Sequence, residues 1–115
     1  MPAQKFNLRG EYRIEQGTTY QLLLTITDPT VGGVYDLTGA SCSAQVREKI
    51  DSTTYTSFSY AIDVALGTIL LTLTDTQTSA FSFIAGVWDC ELTESDGVVT
   101  RLLEGTVQIS KEVTR

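Results

Sequence analysis

The sequence contains no histidine at all. That removes the commonest acid–base group at neutral pH and the commonest metal ligand, and it leaves any thiol without its usual activating base. Cysteine occurs twice, as Cys42 and Cys90, and proline twice. Long apolar runs are missing: stretches such as Ile69-Leu70-Leu71 stop at three residues, far short of the ~20 that a membrane-spanning helix needs. Met1-Pro2-Ala3-Gln4-Lys5 has no apolar segment of the kind a secretory leader carries, so the chain is expected to be made in a cytoplasm. Eight basic residues stand against fourteen acidic ones, a net charge of −6, which offers no basic field for nucleic acid or an anionic membrane. No Gly-x-Ser-x-Gly elbow, Asp-x-Asp-x-Asp-Gly calcium loop or glycine-rich phosphate loop ahead of a helix occurs. Catalysis, a cofactor and a bound metal are therefore not expected.

What the chain does have is threonine, eighteen of them, together with the Val, Ile and Tyr that suit a pleated, half-buried surface. At 115 residues it makes one domain, residues 1–115, with polar ends at 1–5 and 111–115 expected to be flexible in isolation. Short stretches alternate apolar and polar residues between Gly, Asp and Pro punctuation. Phe6 and Leu8 mark a weak first strand within 4–9. Tyr20, Leu22, Leu24 and Ile26 share a face over 19–27, ahead of a turn and loop at 28–33. Cys42, Ala44 and Val46 point inward over 41–49, and Phe58, Tyr60 and Ile62 share a face over 55–62. Ile69, Leu71 and Leu73 alternate over 68–74. The run from Asp75 to Phe81 reads as a helical turn with Asp75 as its N-cap. Trp88, Cys90 and Leu92 face inward after Gly86, and Glu94-Ser95-Asp96-Gly97 reads as a primed hairpin turn. The last strand, 98–110, is long enough to need a bend, expected at Gly105. Seven or eight short strands and one helical turn specify an all-β antiparallel sandwich, with a small barrel as the alternative.

Three groups of residues invite a chemical reading. Cys42 and Cys90 both point inward, so they are either reduced core residues or a bridge between facing sheets, and the absence of a leader favours the reduced form. Asp89 and Glu91 share an outward strand face, which predicts a solvated pair without the cleft or raised pKa that glycoside chemistry needs. Tyr12, Tyr35 and Tyr55 fall near predicted loops. With Lys111 and Arg115 near the chain end, they are the candidate partner contacts.

The run Gly86-Val87-Trp88-Asp89-Cys90-Glu91-Leu92, following the Asp75 turn, resembles the E–F corner of immunoglobulin domains, with Trp88 in a slot that usually holds tyrosine. No tryptophan stands near the third strand to cover the cysteines, a departure from that pattern. The resemblance implies an immunoglobulin-like sandwich. Three longer stretches resemble small virion proteins of tailed bacteriophages and the N-terminal domain of upper baseplate proteins. They are Asp36-Leu37-Thr38-Gly39 leading to Ala44-Gln45-Val46-Arg47, then Ala85 to Leu92, then Val98 to Val107; the ending from Ser110 to Arg115 fits the same type. This second resemblance implies a structural part of a phage particle (tail, baseplate or fibre attachment), present in many copies and contacting other virion proteins. Capsid decoration and a receptor- or carbohydrate-binding adhesin module are the alternatives.

Overall fold

The computed structural model describes residues 4–28 and 32–113. Its strands are β1 (Gln4–Lys5), β2 (Ile14–Glu15), β3 (Tyr20–Thr25), β4 (Thr27–Asp28), β5 (Gly33–Val34), β6 (Ser41–Arg47), β7 (Thr56–Ser57), β8 (Ser59–Asp63), β9 (Thr68–Leu73), β10 (Ala85–Thr93) and β11 (Val99–Ser110). One helical turn, α1 (Asp75–Ser79), joins β9 to β10. The strands form a large sheet in the order β1-β11-β10-β6-β7, with β2 also on β11, and a three-stranded sheet in the order β3-β9-β8. A small β4-β5 ribbon stands apart from both. β11-β10-β6-β7 and β3-β9-β8 follow the G-F-C-C′ and B-E-D orders of an immunoglobulin-like sandwich. The first two strands run parallel to β11, which makes the large sheet mixed where an antiparallel one was expected.

Both sheets feed one core. Leu22 and Leu24 of β3 and Ile69, Leu71 and Leu73 of β9 meet Cys42, Ala44 and Val46 of β6 and Trp88, Cys90 and Leu92 of β10, all buried. These are the inward positions that the period of two assigns. Five aromatic residues close one end of the sandwich in a circuit. Tyr12 packs edge-on to Phe6 and Phe6 edge-on to Trp88, while Trp88 and Phe58, and Phe58 and Tyr20, meet at a tilt, with centroids 5.0–6.4 Å apart. Tyr20 completes it by donating its hydroxyl to the Tyr12 carbonyl at 2.6 Å. The Trp88 indole N–H donates to the Phe6 carbonyl at 2.7 Å, so the residue in the corner slot ties the first strand to the sheet.

Five local expectations need correcting. The N-cap of α1 is Thr74, whose extended backbone lets its hydroxyl accept from the Gln77 N–H while the Gln77 side chain accepts from the Thr74 N–H. That capping box satisfies two end groups at once, which Asp75 inside the helix cannot do. The single strand expected over 55–62 is two: β7 pairs with β6, and β8 pairs with β9. The chain changes sheets at Phe58, which is buried, while Tyr60, opposite the core residue Leu71 on the edge strand β8, is left exposed. The turn after β10 is a three-residue loop in which only Gly97 has positive φ, with Glu94 N–H bonded to the Val98 carbonyl. This is a type I turn closed by a left-handed glycine, the geometry of a three-residue hairpin. The irregularity in β11 is a bulge at Leu102, because Cys90 pairs with Leu103 and Glu91 with Arg101. Gly105 instead marks a close approach: a Cβ there would lie 2.4 Å from the Phe6 carbonyl oxygen. Finally, Cys42 and Cys90 sit diagonally on β6 and β10, neighbours in one sheet, so they do not face each other across the sandwich.

Candidate interaction surfaces

The candidate contact residues do not form one patch. Tyr12 is 43% exposed, and its ring rests on Phe6. Tyr55 is 53% exposed and lies under the Arg47 guanidinium, 4.6 Å from ring centre to carbon, a cation–π contact near the end of β6. Tyr35 is half-buried at the opposite end of β6, where its hydroxyl bonds to the Glu94 carboxylate. Tyr35, Asp36, Thr38, Glu94 and Asp96 line a small acidic depression there. Its Asp36 and Asp96 carboxylates are occupied, each accepting from a backbone N–H two residues on, at 3.0 Å. Lys111 is exposed beyond β11, and Arg115 lies outside the described residues.

The outer face of the large sheet is charged, and the Leu102 bulge adds Arg101 to it. Strict alternation from Ile109 and Val107 through Leu103 would send Arg101 into the core. The extra residue returns Arg101 to the outer side, beside Glu104 and opposite Glu91. Its guanidinium lies 3.7 Å from Asp89, 3.8 Å from Glu91 and 3.6 Å from Glu104, and Lys5 reaches Glu104 at 3.3 Å. These groups, with Gln45 and Arg47, line a shallow depression of about 610 Å³. Desolvation, reinforced by Glu91, raises the Asp89 pKa against the pull of Arg101 and Arg47. Glu104 moves the other way, its carboxyl held down first by the hydrogen bond from Lys5. The solvated face expected of Asp89 and Glu91 is thus partly covered, with the Asp89 carboxyl raised. Arg101 lies among the three carboxylates, so the arrangement holds them as ion pairs.

The outer face of the three-stranded sheet is its opposite. Outward positions are Gln21, Leu23 and Thr25 on β3, Thr68, Leu70 and Thr72 on β9, and Ser59, Ala61 and Asp63 on β8, with one charge among nine residues. Leu23, Leu70 and Ala61 stand in one cross-strand row, and Leu23 is 61% exposed. β3 is the edge of this sheet. Ile26 donates to the Gly67 carbonyl, so the even-numbered residues of β3 face β9. By the alternation of an antiparallel ladder, the N–H and C=O groups of Gln21, Leu23 and Thr25 point away from the sheet. Among the described residues nothing bonds to them.

Cys42 and Cys90 are free thiols with sulfurs 3.5 Å apart, both buried. The hydrogen bond between them and burial push the Cys90 thiol far up, so it stays protonated and unreactive as a nucleophile. The two occupy core positions as small apolar groups, the reduced reading of the sequence. Sequence reasoning missed the Arg101 cluster, although an arginine at inward parity within β11 was a usable signal. No family model and no curated protein matches the chain.

Proposed function

We propose that this chain is a non-catalytic structural module that works by joining protein subunits. The observation that carries the reading is the nearly uncharged outer face of the three-stranded sheet, ending at the unpaired backbone of β3. A surface of threonine and leucine loses little hydration on burial, and an open edge offers main-chain bonds to another strand. A particle of a tailed bacteriophage, in its tail, baseplate or fibre-attachment region, is the setting that the sequence resemblance supports. The three resembling stretches lead into or make up β6, β10 and β11, adjacent strands of one sheet. Partners on this reading are other virion proteins, in many copies, with neither nucleic acid nor membrane involved.

A carbohydrate-binding adhesin would call for an outward aromatic cluster, and the aromatic circuit at one end is turned inward, with Trp88 and Phe58 buried and only Tyr12 exposed. Mass spectrometry of purified particles checks the proposal directly. The chain should be present at a fixed copy number per particle, and the purified domain should join purified particle components. Absence from particles, together with failure to join any component, would overturn the reading.

A further inference from the structure

We infer that the β3 edge pairs with the β3 edge of a second copy of this chain, across a two-fold axis at Leu23. The inference rests on the assembly reading and names its partner. Residues 16–27 carry no charge, in a chain whose net charge is −6. Any self-contact through the large sheet would have to cover and desolvate the ion pairs of Lys5 and Arg101 with Asp89, Glu91 and Glu104, whereas the β3 edge brings no charge. The charge distribution therefore marks the place where two copies of an acidic chain can meet without opposing charges.

The strand is also self-complementary. In the antiparallel register that sets Leu23 opposite itself, Gln21 meets Thr25 of the second copy on the outer face. Leu22 meets Leu24 of the second copy on the core face. The parity agrees, because the residues that pair directly across the axis are the odd-numbered ones whose N–H and C=O groups already point outward. Three such pairs exchange six backbone hydrogen bonds and join two three-stranded sheets into one of six. The devices that usually blunt an edge (a lysine, a proline, a bulge) are all missing from Tyr20–Thr25. A six-residue edge is smaller than a standard protein interface, so the pairing is weak alone and strengthens with copy number.

Analytical ultracentrifugation of the purified chain at submillimolar concentration tests this. The wild type should show a doubling of mass, and hydrogen exchange should slow at the amides of Gln21, Leu23 and Thr25 as concentration rises. Leu23→Lys and Leu23→Glu should each be monomeric, because like charges then oppose each other at the axis. Mixing the two should restore the dimer. Leu23→Pro should also be monomeric yet folded, since the lost N–H points away from β9. A wild type that stays monomeric throughout, or a dimer that survives all three substitutions, would sink the inference. Monomeric protein that still enters particles sinks self-pairing and leaves the assembly reading standing. A dimer absent from particles does the reverse.

Discussion

The two outer faces of this sandwich sit on the same core and differ in almost everything else. One gathers Lys5, Asp89, Glu91, Arg101 and Glu104 into an ion-pair cluster, and the other exposes threonine, leucine and alanine with Asp63 as its only charge. Inward positions of both sheets obey the same period of two, so folding does not demand the difference. Covering the charged face means desolvating its ion pairs, while the other face has almost no charge to desolvate. A small all-β domain thus carries its ion pairs on one outer face and leaves the other almost uncharged.

The sharpest break in the comparison comes from neighbouring leucines on β9. Leu71→Ala, in the core, should cost about 2–5 kcal/mol in denaturant unfolding. Leu70→Ala, on the outer face, should cost well under half of that, and equal losses would mean that the outer row is packed from within. Next is Tyr20, whose hydroxyl is pushed up to about 12 by burial and then by Tyr12. The folded state holds this proton more tightly than the unfolded chain, whose tyrosine titrates near 10. Stability should be full below pH 10 and fall as pH rises from there towards 12. Tyr20→Phe should lose about 1 kcal/mol at neutral pH, through the bond to the Tyr12 carbonyl, and flatten that alkaline decline.

On the charged face the effects shrink. Arg101→Gln should destabilise by up to about 1 kcal/mol at low salt, with the loss fading at high salt. A salt-independent loss would point to packing. Smallest of all, Asp89→Asn should gain a few tenths of a kcal/mol at neutral pH, because desolvation disfavours that carboxylate more than Arg101 rescues it. The gain should vanish in acid, where Asp89 is already neutral, and a loss at neutral pH would reverse the ranking of those two effects.

Much of the fold was legible because alternation reports directly on burial. Leu22, Leu24, Cys42, Ala44, Val46, Ile69, Leu71, Leu73, Trp88, Cys90 and Leu92 all face the core that the period assigned them. Alternation says nothing about which sheet a strand joins, and the residues around Phe58 keep their period straight through the change of sheet. The Thr74 cap was readable, since Thr-x-x-Gln before a short helix is the capping-box pattern. The Arg101 cluster was only half readable. Arginine at an inward parity signals a bulge, but the three carboxylates it reaches come from pairing across β10 and β11. The contact tyrosines were named by nearness to loops, and the sequence does not encode which end of the sandwich each loop occupies.

The pairing of β11 has a consequence for how the protein comes into being. This strand lies between β1 and β10, so Gln4 finds its partner only at Leu103 and Lys5 only at Glu104. A ribosome must therefore deliver almost the whole chain before its first strand has anything to hold. Until then β10 has a bare flank, and Trp88 lacks the closed first strand that its indole secures. Such long-range closure is slow and leaves sheet edges open meanwhile. The protein assembles from both ends at once, and a chain cut short before Val99 forfeits its beginning along with its end.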